Sequence, residues 1–162
     1  MTVTIRRVRP GEYDVVADLT AQVYRGEGYG SDDYEPVLRD VAGRDRDAVV
    51  LVAVDEDQIL GAVAIAVSGP WAERAEPDEA EIRMLAVDPG ARGQGVGTSL
   101  VVACLERARA AGCLRMRLST EPTMAAAHRI YDRLGFTRTP ERDWYPAPDI
   151  PLLTYVLALE AS

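Results

Sequence analysis

The stretch VDPGARGQGVGTSL, Val87 to Leu100, constrains this chain more than any other. Gly90, Gly93, Gly95 and Gly97 stand between an apolar, strand-like run and the start of an amphipathic helical pattern. Glycine weakens regular elements, so such a cluster marks backbone that must turn left-handed or come close to another group. A strand, a tight turn with an arginine and then a helix leave several unpaired N–H groups together at the helix N-terminus. Those groups and the helix dipole favour an anion, and the missing Cβ atoms at Gly93, Gly95 and Gly97 let phosphate oxygens come within hydrogen-bond reach. Charge-assisted bonds contribute about 1.5 to 3 kcal/mol each, so a few hold an anionic ligand against a formal net charge of -8.

Two common phosphate motifs are excluded by the residues. The 18 basic residues are all arginine, so a GxxxxGK phosphate loop is absent. A GxGxxG dinucleotide turn fails as well: counted from Gly93 the last glycine falls on Thr98, and counted from Gly95 on Leu100. What remains is Arg92-Gly93-Gln94-Gly95-Val96-Gly97, an RxxGxG pattern behind the run MLAVDP.

The rest of the chain reads as one mixed α/β domain of 162 residues, long enough to bury a core without disulfides or metal. TVTIRRV is a first strand, and RPGEYDVVADLTAQVY a helix with Val16, Leu19 and Val23 on one face. RGEGYGSDDY is a polar loop bearing Tyr24, Tyr29 and Tyr34 on or beside it, before a weak helical pattern over Glu35 to Val41. AVVLVAVDEDQILGAVAIAV is a hairpin turning at Asp55 to Asp57, and EIRMLAV a further strand after a proline-rich connection. The glycine-led helix runs to about Ala110, with Val96, Leu100, Val101, Cys104, Leu105 and Ala108 inward, and stops at Gly112. LRMRLS is a half-buried strand, and PTMAAAHRIYDRLGF a helix with Ala127, Ile130, Tyr131 and Leu134 on one face. FTRT, a polar loop PERDWYPAPDI and a last strand PLLTYVLAL follow.

The apolar runs, Ala62 to Val67 among them, are far below the roughly 20 residues of a membrane span, and we read no charged-then-apolar signal ahead of the first strand. The acidic balance argues against nonspecific binding to nucleic acid or an anionic membrane. We therefore expect a cytoplasmic protein. Cys104 and Cys113 lack metal-ligand spacing and read as small apolar residues, with no metal expected.

With MLAVDP ahead of RxxGxG, and Tyr131 four residues before the Gly135-Phe136 pair behind it, the sequence resembles the GNAT N-acetyltransferase superfamily over most of its length. The resemblance implies a central, mixed but mostly antiparallel twisted sheet of about seven strands, flanked by about four helices and splayed at a cofactor cleft. It implies acetyl-CoA as cosubstrate and direct transfer of an acetyl group to a primary amine of a small molecule or peptide, in a ternary complex. A homodimer is the oligomeric state it suggests.

Carried over residue by residue, the resemblance gives the backbone of Leu85, Ala86 and Val87 to the pantetheine arm. Arg92, Gly93, Gln94, Gly95, Val96, Gly97 and Thr98 go to the pyrophosphate. Tyr131 matches the usual proton donor to the departing thiolate, and Glu81 a frequent acceptor of the amine's proton, directly or through water, with Glu79 the nearest substitute. Strand alternation puts Glu79 and Glu81 on one face unless a bulge intervenes. An asparagine that often contacts the pantetheine arm is Met124 here, and a methionine cannot replace its hydrogen bonds, which leaves Thr123 to serve instead. Tyr29, Trp144 and Tyr145 are placed to line the acceptor pocket, with Glu141 and Asp143 nearby to attract a cation. His128, the only histidine, reads as a partly exposed helix residue. A GNAT-like module that holds an acyl-CoA without turnover is the alternative, and a longer acyl donor stays open.

Overall fold

The computed structural model describes residues 2–26, 34–69, 71–72, 74–148 and 150–160. Strands β1 (Thr4–Arg7), β2 (Val49–Asp55), β3 (Gln58–Ala66) and β4 (Glu79–Val87) form an antiparallel run. β5 (Arg115–Thr120) joins β4 in parallel, and β8 (Ile150–Ala158) pairs antiparallel with β5, β6 (Thr137–Arg138) and β7 (Trp144–Ala147). The path across the sheet is β1-β2-β3-β4-β5-β8-β6.

The two faces are covered by different helices, as the strand alternation demands. Val50, Val52, Ala62 and Ala64 pack with Val16 and Ala17 of α1 (Tyr13–Gly26) and Val41 of α3 (Val41–Asp47). Leu51, Ala53, Val63 and Ile65 pack with Leu100, Val101, Cys104 and Leu105 of α4 (Val96–Ala110). Each fully buried leucine there contributes roughly 1.5 to 3 kcal/mol by leaving water. α4 lies close on the sheet because Gly61 has no side chain: a Cβ there would meet the Ala86 carbonyl and Leu100 Cδ1, both at 3.0 Å.

Two local readings differ from the sequence pattern. The weak helical stretch after the early loop is two short helices, α2 (Glu35–Arg39) and α3, parted at Asp40. Asp40 leaves helical geometry to cap α3, its Oδ1 accepting from the Gly43 N–H at 3.0 Å, which a side chain of that type favours over a helix interior. The polar loop near the end contains β7, despite Pro146, because an edge strand tolerates a missing N–H.

The parallel pair β4–β5 positions the site. Pairing runs only from Glu79/Arg115 to Ile82/Leu118, and beyond it the strands part. On the β3 side the register slips by one residue between Ala62 and Ala64, where β4 bulges at Met84, φ 56°. The bulge follows Glu79 and Glu81, so those carboxylates keep one face, with Ala66 paired to Glu81 and Ala64 to Arg83.

Candidate active site

β4 ends at Val87, and the chain then makes a 3-10 turn over Pro89–Ala91, capped by Asp88 Oδ1, which accepts from the Gly90 N–H at 2.9 Å. Gly93 and Gly95 follow with φ of +79° and +81°, a left-handed backbone that costs other residues energy, and nothing stands within 4 Å of where their Cβ atoms would be. Gly95 is the N-cap of α4, whose first bond, Ser99 N–H to Gly95 O at 3.0 Å, leaves the N–H groups of Val96, Gly97 and Thr98 at the open end. Gly97 is different: a Cβ there would lie 2.6 Å from Ile130 Cδ1, so it permits close packing against α5 (Ala125–Arg133).

These N–H groups face a cleft of about 340 Å³ between α4, the end of β4 and α5. Of the residues expected to contact the cofactor, Leu85, Val87, Arg92, Gly93, Gly95, Val96, Gly97 and Thr98 line it. Ala86 is buried and, like Gln94, is not part of the lining. Thr123 is exposed and also outside it; its hydroxyl turns instead to the Glu121 carboxyl. Arg129 and Arg133, one turn apart on α5, join Arg92 at this cleft, and neither has an ion pair among the described residues. Their i, i+4 spacing beside the apolar face of α5 was the sequence signal for them.

A second, smaller pocket of about 40 Å³ opens where β4 and β5 part. Glu81 and Arg83 come to it from β4, Ser119 and Glu121 from β5 and just past its end, Tyr24 and Tyr34 from the α1 and α2 side, and Trp144 from β7. Met124, 7% exposed, lines both cavities and so stands between them. Glu81 is 2% exposed, and its Oε1 accepts from the Arg74 N–H at 2.7 Å. That segment is strapped down by Arg142, which donates to the Arg74 carbonyl at 2.8 Å, and by the Arg74 guanidinium lying 4.6 Å over the Trp144 ring. Trp144 Nε1 donates to Ser119 Oγ at 3.0 Å, which fixes the ring on this wall.

Several expected acceptor residues lie elsewhere. Glu79 is fully buried at the start of β4 and accepts from Arg115 Nε at 2.6 Å, Arg117 Nε at 2.9 Å and the Glu76 N–H at 2.9 Å. Asp143 pairs with Arg138 at 2.8 Å and accepts from the Thr154 N–H at 2.9 Å. The Arg138 hydrogen bond, against some burial, holds its pKa down to about 2. Tyr145 is 65% exposed and outside the pocket. Tyr29 falls outside the described residues. Strand alternation alone cannot say which carboxylate meets an arginine across the sheet, so Glu79 and Glu81 look alike until the register is known.

Tyr131, 4% exposed, sits one turn after Ala127 on the inner side of α5, its ring 5.5 Å from Phe136 and 5.8 Å from Tyr155. Burial, with Cys104 and Tyr155 adding, pushes its hydroxyl pKa well up, so it stays protonated at neutral pH. Tyr24, which lines the second pocket, is pushed up by burial, then by Tyr34 and Tyr131; Tyr131 itself belongs to the lining of neither cavity. His128 is half-buried, its Nε2 2.8 Å from the Glu121 carbonyl. Cys104 and Cys113 are free thiols, and among the described residues no three His, Cys, Asp or Glu side chains group to hold a metal. No helix among them is long and apolar enough to cross a membrane.

The fold has close counterparts among solved structures. An acetyltransferase of the GNAT family from Staphylococcus aureus superposes with a TM-score of 0.80 at 15% identity, covering 98% of this chain and 100% of that one. The PaiA N-acetyltransferase of Thermoplasma acidophilum, solved in complex with coenzyme A, gives 0.72 at 15% identity, over 95% and 98% of the two chains. In sequence, the mycothiol acetyltransferase of Saccharopolyspora erythraea is 37% identical over 89 residues, 54% of this chain and 27% of that protein. The ribosomal protein bS18-alanine N-acetyltransferase of Haemophilus ducreyi is 34% identical over 73 residues, 44% of this chain and 50% of that protein. The chain thus spans half or less of these curated relatives. The Acetyltransferase (GNAT) family matches residues 13–136, a span that takes in the glycine turn, the parting strands and Tyr131, and the chain belongs to that family.

Proposed function

We propose that this protein transfers an acetyl group from acetyl-CoA to a primary amine, with both bound at once. The observation that carries this reading is the pair of cavities meeting at Met124: an anion cradle on one side, a carboxylate-bearing pocket on the other. The residues suit coenzyme A, since the open N-terminus of α4, the uncrowded Gly93 and Gly95, and Arg92, Arg129 and Arg133 match a polyanion. Acetyl-CoA supplies an activated acyl thioester when bound. The unpaired edge of β4 past Ile82 offers main-chain hydrogen bonds to its pantetheine arm.

In the second pocket Glu81 takes the proton that an alkyl ammonium must lose before it has a lone pair, directly or through water. Its hydrogen bond from the Arg74 N–H fixes the carboxylate's orientation for that role. Tyr131, kept protonated by burial, provides the proton that stabilises a departing thiolate. Holding amine and acyl group together supplies much of the remaining rate. The acceptor is a small molecule or a peptide N-terminus; mycothiol and ribosomal-protein acetyltransferases among the relatives span both kinds.

A second reading, an acyl-CoA-binding module without turnover, is favoured by Met124, which puts a thioether where a hydrogen-bonding amide is usual. Thiol release from acetyl-CoA over a panel of primary amines, with Tyr131→Phe alongside, separates the two. Amine-dependent release that falls about tenfold or more in Tyr131→Phe supports the enzyme and its acid. Coenzyme A binding with no amine-dependent release supports the module, and equal rates remove the role of Tyr131.

A further inference from the structure

We infer that Glu121 is a second acceptor-binding carboxylate, placed just past the end of β5 in the pocket it shares with Glu81, to receive the ammonium of the incoming amine. The inference rests on reading the second pocket as the acceptor site. Glu121 stands just past the end of β5, where that strand has left β4, and it is 8% exposed. Its backbone is pinned: the Glu121 carbonyl accepts from the Met124 N–H at 3.1 Å and lies 2.8 Å from His128 Nε2.

A buried carboxylate is costly unless paired, and the other buried carboxylates are provided for. Glu79 holds two arginines and Asp45 holds Arg7 at 2.9 Å, while Glu81 accepts from the Arg74 N–H. Among the described residues Glu121 has only the Thr123 hydroxyl, and no arginine pairs with it. Arg83 lines the same pocket but lies against Trp71, its guanidinium 5.2 Å from the ring. Among the described residues, the titratable groups that share this pocket or touch Glu121 are Glu81 and Arg83 from β4, Tyr24 from α1, Tyr34 ahead of α2, and His128 from α5.

Burial pushes the Glu121 carboxyl up to about 7, and the Thr123 hydroxyl offsets part of that rise. A carboxylate so placed gains most from an incoming cation, because the cation supplies the missing partner. The rings of Tyr24, Tyr34 and Trp144 complete a wall suited to an alkyl ammonium. The pocket therefore selects acceptors that enter as cations, and it loses them when Glu121 takes up a proton.

The test uses the full chain with n-propylamine and benzylamine as probes and n-propanol as the uncharged control. In protein carrying 13C-labelled glutamate, the Glu121 carboxyl signal is assigned by its loss in Glu121→Gln and titrated from about pH 4 to 9. It should titrate near neutrality and move to lower pH with amine but not with propanol. In steady-state assays, Glu121→Gln should raise the amine KM by about 10- to 100-fold while kcat changes little. Thr123→Val, which removes the one offsetting hydroxyl, should move the acid limb of kcat/KM to higher pH. An unchanged KM in Glu121→Gln, or a Glu121 signal blind to amine, overturns the inference even where turnover establishes the acceptor reading. A signal that answers to amine in protein without turnover keeps Glu121 as an ammonium site and removes the acceptor reading instead.

Discussion

Replacing Glu79 by glutamine distinguishes a carboxylate that holds the sheet together from one that meets an acceptor. Glu79 has no exposed surface, and two guanidiniums and one backbone N–H satisfy it. Glutamine keeps the volume but removes the charge and turns an amide N–H₂ toward one arginine. Breaking a fully buried pair costs about 3 to 5 kcal/mol. Here Arg117 is 14% exposed but Arg115 is 39% exposed, so water recovers part of its solvation and we expect about 2 to 3 kcal/mol. For a chain of this size that lowers Tm by roughly 4 to 12 °C. Burial opposes ionisation of Glu79, yet the hydrogen bonds from Arg117 and Arg115 outweigh it and hold the pKa down to about 2. A carboxylate depressed below its unfolded value of about 4.3 stabilises the fold fully above that value and loses the contribution as pH falls towards 2. The gap between the two proteins should thus be widest at neutral pH and close below about pH 4. Urea unfolding at neutral and acid pH measures it, beside amine turnover. An unchanged urea midpoint at neutral pH with lost acceptor-dependent turnover would refute the reasoning and put Glu79 against the acceptor.

Two further expectations concern the cofactor cleft. Gly95→Ala places a Cβ at φ +81°, costing roughly 1 to 2 kcal/mol and a few degrees in Tm, and calorimetry should show weaker coenzyme A binding because the turn no longer aims the N–H groups of α4. Replacing both Arg129 and Arg133 by glutamine should weaken coenzyme A binding by about 5- to 30-fold at low salt, with the difference shrinking in 1 M salt because both side chains are exposed. An effect insensitive to salt would mean that these arginines act by packing and not by charge.

The parts of this protein legible in its sequence are those decided within a few residues. Left-handed backbone at Gly93 and Gly95, the start of α4 just after them and the buried face Val96, Leu100, Val101, Cys104, Leu105 and Ala108 all follow from local geometry and helical period. The same holds for Tyr131, inward by its spacing from Ala127. Gly97 was legible as a glycine but not in its reason, since Ile130 is 33 positions away in sequence and meets it only through the packing of α4 on α5.

The tertiary structure alone decided the fate of the carboxylates. Glu79 and Glu81 are two residues apart on one face, yet β4–β5 register sets Glu79 against Arg115 and Arg117 and leaves Glu81 at the edge of the parting strands. Glu121 lies in the sequence between the strand LRMRLS and the helix that follows, with no signal of its own, and it becomes a pocket residue because β5 leaves β4 after Leu118. Asp143, close to Trp144 in sequence, is taken by Arg138 and the β8 backbone. A charged side chain's role depends on which partner the sheet brings within about 4 Å, and that distance is set by pairing between segments far apart in the chain.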